Sequence, residues 1–207
     1  MKKLLLISTI ACLGLLKVNA QDKGDIELGA GLGLSLSNVS TIDGQNNTSY
    51  LTSITGGVSG EYYFSDRWGI KSKLIYDNKG WSEGFLTDED SNTTIITDFE
   101  LSYLTIPVMA NYHFGSKRNW YLNFGPYVGI LLNAEDSELG LDLKDGFQSS
   151  DFGLALGIGY KFQVGDNIKL FVEYDGQAGF TDVFEENSGD AIRNARSSIN
   201  IGALFNL

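Results

Sequence analysis

The chain has 207 residues, a one-domain length, with 26 acidic residues against 15 basic ones and a net charge of −11. An acidic balance of this size argues against nucleic acid as a partner and leaves no polybasic patch for anionic lipid.

Residues 1–20 read as a cleaved secretory signal peptide, and 21–207 as the domain. Lys2 and Lys3 form a positive start, Leu4 to Leu16 is mostly apolar, and Val18-Asn19-Ala20 offers small residues at a cleavage site before Gln21. The apolar run is too short for a transmembrane helix. A lipoprotein signal acylated at Cys12 is the alternative, but Cys12 sits inside the apolar run rather than after it. Cleavage at Ala20 takes away the only cysteine, so no disulfide framework is expected. It also takes Lys2, Lys3 and Lys17 and no acidic residue, which deepens the net charge from −11 to −14. No later run is long and apolar enough for a membrane-spanning helix.

From Ile26 the sequence alternates. Ile26, Leu28, Ala30, Leu32, Leu34 and Leu36 share one face, and Glu27, Gly29, Gly31, Gly33 and Ser35 the other, which is the period of a β-strand. The same pattern recurs near 51–64, 68–78, 103–114, 120–132, 151–162, 168–178 and 196–207, so eight strands are predicted. Phe99 and Leu101 break parity with Leu104 and Ile106, and a bulge near Ser102 is expected to restore their facing. Pro107 and Pro126 fall inside predicted strands, where each forgoes a ladder hydrogen bond, so irregular pairing is expected there. Short turns near 65–67, 115–119 and 164–167 alternate with long polar segments near 38–50, 79–98, 133–150 and 179–195. That alternation is typical of outer-membrane barrels, with short periplasmic turns and long extracellular loops.

A soluble ligand-binding barrel also shows period 2, but it needs an apolar inside and a charged outside. Here the polar face carries small residues in some strands and charges in others, which suits a crowded lumen, while Leu, Ile and Val suit lipid. Tyr62, Phe64, Trp68, Tyr112, Phe114, Trp120, Tyr160, Phe162 and Phe205 lie near the short-turn ends, as a girdle at a bilayer interface would. Tyr76, Trp81, Phe99, Phe152 and Tyr174 are placed at the other ends. The fold expected is all-β: an eight-stranded antiparallel up-and-down transmembrane barrel in an outer membrane.

Tyr103-Leu104-Thr105-Ile106-Pro107-Val108, followed by Asn111-Tyr112-His113-Phe114, resembles the "YLxIP" strand of the PorT-like family of Bacteroidetes outer-membrane β-barrel proteins. Phe124-Gly125-Pro126-Tyr127-Val128-Gly129 resembles that family's "GPY" strand, and Tyr76 to Gly80 is similar to its "KKG"-like strand end. The resemblance implies a fold, a compartment and two family prolines. It brings no catalytic residue.

Little in the residues points to chemistry. His113 is read as a hydrogen-bonded interior side chain, no nucleophile–base motif is present, and no cofactor is implied. Glu27, Glu61, Lys71, Lys73, Lys161, Lys169, Glu173, Asp175 and Arg196 are predicted to face the lumen, where mixed signs in a narrow space favour salt bridges over a pore lining. The long segments concentrate the acidic residues. Asp88-Glu89-Asp90, or Glu135-Asp136 with Glu138, could offer oxygen ligands to Ca²⁺, although neither has an EF-hand pattern. The expectation is a non-enzymatic protein set in outer-membrane lipid, with divalent cations or surface and secretion proteins as partners at its loops. The alternatives are a narrow channel for ions or small solutes, and a hydrolase on the barrel rim.

Overall fold

The computed structural model describes residues 23–40, 48–88 and 93–207, with the side chain of Asp88 excepted. The predicted signal segment lies outside the described residues. Among those described, the strands are β1 (Ile26–Val39), β2 (Leu51–Tyr63), β3 (Trp68–Asp88), β4 (Thr93–Phe114), β5 (Trp120–Asp136), β6 (Ser150–Gln163), β7 (Ile168–Gly179) and β8 (Asn194–Asn206). Each pairs antiparallel with its sequence neighbours. Glu27 opposite Asn206 through Val39 opposite Asn194 joins β1 to β8 and closes the barrel.

Closure leaves one face of each strand inside and one outside, and the sequence period decides which is which. Leu32, Leu34 and Ile54 are 65%, 64% and 69% exposed, and the other outward positions of the barrel wall are similarly apolar. A continuous apolar band of this extent cannot face water in a monomeric soluble protein. It faces lipid. The girdle positions Tyr62, Phe64, Trp68, Trp120, Phe162 and Phe205 are exposed, and Tyr112, Phe114 and Tyr160 are half-buried against their aromatic neighbours. Rings run in contact along the short-turn end, with Trp68–Tyr112 at 4.7 Å, Trp120–Tyr160 at 4.9 Å and Tyr160–Phe162 at 4.7 Å between centroids.

The extracellular half differs from expectation in three ways. First, the polar segment near 79–98 is strand over its described residues. β3 continues to Asp88 and β4 begins at Thr93, the two pair antiparallel, and a bulge between Trp81 and Gly84 turns their path. Strand β5 runs on to Asp136 beside them, so β3, β4 and β5 form a raised wall. The polarity that suggested a loop belongs to strands standing in water above the bilayer.

Second, the irregularity at Ser102 exists, but the extra residue is on β5. Ser102 pairs with Asn133 and Tyr103 with Leu131, which leaves Leu132 over. Parity on β4 is therefore unbroken, and Phe99 and Leu101 stay inside with Tyr103 and Thr105. Above the bulge β5 reverses its facing, so Ala134 and Asp136 point inward and Glu135 outward. Third, Trp81 and Phe99 are not part of an upper belt. Both are buried inside the barrel mouth.

The prolines behave as expected. Pairing of β3 with β4 lapses between Ser72 opposite Val108 and Ile75 opposite Thr105, and that of β4 with β5 between Pro107 opposite Tyr127 and Ala110 opposite Phe124. The Ser72 hydroxyl donates to the Pro107 carbonyl at 3.0 Å across the first gap. At the second gap β4 presses on Gly125, where a Cβ would lie 2.1 Å from the Val108 carbonyl oxygen. Only glycine fits there.

Candidate functional site

The inward side chains form two stacked layers. The lower one is ionic. At the periplasmic end Glu27 accepts from Lys161 at 2.5 Å and from Lys169 at 2.9 Å, and Tyr63 lies 2.8 Å from the Lys161 ammonium. Glu61 reaches His113 Nε2 at 2.6 Å and Lys161 at 3.5 Å. Above them Glu173 takes Lys71 and Asn123 at 3.1 Å each, and also bonds Lys73. Asp175 takes Lys73 at 3.0 Å and Arg196 at 2.6 Å, and Arg196 bonds Asp77 at 3.0 Å. Lys79 pairs with Asp151 at 2.8 Å, with its ammonium 4.4 Å from the Tyr127 ring centre.

Every lumen charge expected from the sequence joins this ladder. His113 takes the hydrogen-bonded interior place foreseen for it. Asp77, Lys79 and Asp151 complete the ladder and were missed. The alternation already sets Asp77 and Asp151 on the polar face of their strands, but neither is counted among the expected lumen charges. Lys79 was hidden because its stretch read as loop. Six inward cations (Lys71, Lys73, Lys79, Lys161, Lys169 and Arg196) face six carboxylates (Glu27, Glu61, Asp77, Asp151, Glu173 and Asp175). The ladder is thus neutral while the chain is strongly acidic. Its interior cavity of about 40 Å³, beside Lys71, Lys73, Glu173 and Arg196, has room for a few waters only.

The upper layer is apolar, where only small or charged residues were expected. Trp81, Phe99, Leu101, Tyr103, Leu131 and Ala134 come from the raised wall, and Val39 from β1. Phe147 from the β5–β6 connection and Val183 and Ile192 from the β7–β8 connection close over them. Trp81 stacks on Phe99 at 4.6 Å, and Phe147 on Phe184 at 5.2 Å. Gly84 permits the first stack, since a Cβ there would lie 2.5 Å from the Trp81 and Phe99 rings.

Two of the long acidic segments are therefore built into the mouth. The Gln148 N–H donates to the Val183 carbonyl, and the Glu185 N–H to that of Gly146. Asp182 accepts from the N–H groups of Phe184 and Ile192 and from the Asn187 amide. Asp136 is the other anchor, with bonds from the backbone N–H groups of Glu138, Leu139 and Leu141 and from the Thr97 hydroxyl. Burial opposes charge on Asp136, but the Leu139, Leu141 and Thr97 bonds outweigh it and hold the carboxyl below its ordinary value of 3.8. Because the folded value is depressed, this stabilisation is complete above pH 3.8 and is lost as pH falls through the folded value. Asp136→Asn is expected to cost about 1–3 kcal/mol at pH 7 and to flatten the acid limb of stability below pH 3.8. Urea midpoints in lipid from pH 2 to 7 check both, and parallel wild-type and variant limbs would refute the assignment.

Of the acids considered as cation ligands, Glu135, Asp136 and Glu138 are the described ones, and they do not converge. Glu89 and Asp90 lie outside the described residues, as does the Asp88 side chain. Glu135 and Asp136 point to opposite sides of β5, and Glu138 is exposed on the turn beyond. Among the described residues no three carboxylate, imidazole or thiol groups converge on a metal position.

A closed eight-stranded barrel with a lipid-facing apolar band, an aromatic girdle and a lumen of paired charges defines an integral outer-membrane protein. Residues 19–185 match the model of the outer membrane protein beta-barrel domain, and the chain belongs to that family. OprG of Pseudomonas aeruginosa is similar in structure, with a TM-score of 0.54 at 13% identity over 92% of this chain and 99% of that one. Neisserial surface protein A is similar with a TM-score of 0.50 at 18% identity over 86% and 95%. At these identities the likeness is one of fold. No curated protein matches the sequence.

Proposed function

We propose that this protein is a non-enzymatic outer-membrane anchor that works through its ordered acidic crown, and that its lumen is not a conduit. One observation carries the reading: paired charges below and an apolar plug above occupy the interior and leave room beside Lys71 for a few waters only, while the raised wall and capped turns stand in water. The interior of an eight-stranded barrel is only wide enough for side chains. The partners best suited to such a crown are proteins or divalent cations at the cell surface. The PorT-like resemblance favours an accessory role in secretion. Among the described residues no nucleophile–base pair supports hydrolysis on the rim.

Recordings on purified protein in planar bilayers test the sealed lumen. Silence is expected, and reproducible steps in 1 M KCl would instead favour the narrow channel.

A further inference from the structure

The raised wall has an outer surface as well as an inner one. Lipid-facing side chains give way to polar ones at Asn78 on β3, Ser102 on β4 and Asn133 on β5, so the wall leaves the bilayer there. Just above, Glu100 and Glu135 are direct cross-strand partners on the outward face. Like charges placed opposite each other destabilise an antiparallel pair. Glu100 receives the Asn78 amide at 3.3 Å, yet among the described residues neither glutamate has an ion-pair partner. The nearby cation, Lys144, is held by the Leu132 carbonyl at 2.9 Å.

Beyond Asp98, the next outward residue on β4, the surface turns apolar. Ile96, Leu139 and Leu141 are 59%, 60% and 47% exposed in water. They are held in place. The Ser137 N–H donates to the Asp98 carbonyl and the Glu138 N–H to the Thr97 hydroxyl, which sets the 137–141 turn against the end of β4 beside Ile96. Asp136 fixes the same turn from inside. An unneutralised carboxylate pair under a rigid apolar ledge costs stability in the free protein, and a bound partner would remove both costs.

We infer that the outer surface of the β3–β5 wall, with Glu100 and Glu135 below and Ile96, Leu139 and Leu141 above, docks a cationic amphipathic segment of a partner protein. The charges select the partner's sign. A second copy of this acidic surface would repel the first, and lipid phosphate would be repelled in the same way. The inference rests on the crown being the working part of the protein and names the partner's chemistry.

The probe is a fluorescein-labelled peptide of alternating lysine and leucine, titrated against the full barrel in phosphatidylcholine nanodiscs, with empty discs as the blank. Fluorescence anisotropy is expected to report binding that weakens in 0.5 M NaCl. Glu100→Gln with Glu135→Gln, and separately Ile96→Ser with Leu139→Ser, should each weaken it about tenfold. Glu185→Gln with Glu186→Gln, elsewhere on the acidic crown, should change it less than twofold. The Glu100→Gln, Glu135→Gln variant should also unfold at higher urea than wild type, a gain that a purely structural pair would not give. Equal loss in the Glu185/Glu186 variant, or no binding above empty discs, overturns the site. Calcium binding by calorimetry that vanishes only in the Glu100/Glu135 variant overturns it in favour of a cation bridge. A silent bilayer recording without peptide binding would sink this site alone, whereas conductance steps with peptide binding would sink only the sealed lumen.

Discussion

Glu173→Gln is expected to destabilise the barrel by about 3–5 kcal/mol, because it removes one partner of a buried ionic cluster and leaves the other charges uncompensated. Glu173 sits between Lys71 and Lys73 and also takes the Asn123 amide. Its side chain is 1% exposed and that of Lys71 is 3%. Without the carboxylate, Lys71 loses the group it pairs with, and Lys73 is left to Asp175, which already serves Arg196. A glutamine oxygen can still accept one hydrogen bond, but its amide hydrogens then point toward cations. Equilibrium urea unfolding in phosphatidylcholine vesicles, read by tryptophan fluorescence, measures the loss. Adding Lys71→Met should recover half of it or more. That change restores the charge balance and lays an apolar side chain on Tyr121, where the ammonium now lies 4.6 Å from the ring centre. A single-variant loss below about 1 kcal/mol would mean that the cluster is hydrated and behaves as a surface pair.

The ladder and the plug were unequally visible in the sequence, for a physical reason. In the membrane-spanning half the solvent outside is lipid, so outward positions must be apolar and inward ones are free to be charged. Contrast between the two faces is therefore strong, as in Lys71 and Lys73 against Ile70 and Leu74. Above the bilayer both faces meet other conditions. The outward face of β4 is polar at Asp98, Glu100 and Ser102, and the inward face is apolar at Phe99, Leu101 and Tyr103. The alternation persists, but its sense is inverted, and that inversion read as a parity break needing a bulge. The same inversion made the ends of β3 and β4 look like loop. Asp136 was legible only as an acid in an acidic stretch, since its inward turn depends on the extra residue at Leu132, which pattern alone did not place. The docking surface was hidden similarly: the opposition of Glu100 to Glu135 follows from the register beyond that bulge.

Trp81→Ala is expected to cost about 3–5 kcal/mol, the range for truncating a large buried aromatic side chain. Trp81 is 1% exposed and touches Phe99, Phe147 and Phe184, so it links the raised wall to the β5–β6 and β7–β8 connections. Its indole N–H has no hydrogen-bond partner among the described residues, so the side chain acts there through packing. Trp81→Phe should accordingly retain most of the stability, and a phenylalanine variant as damaged as the alanine one would assign the indole nitrogen a role of its own. Urea unfolding followed by circular dichroism suits this series, because the variants remove a tryptophan reporter. The alanine variant also separates the two layers of the lumen. If the plug alone sealed the barrel, opening it would produce conductance. If the ionic ladder seals it independently, the variant stays silent in planar bilayers despite its lost stability, and silence is the expected result. The ladder spans the membrane and the plug sits above it, so loosening the mouth exposes paired charges and not a path.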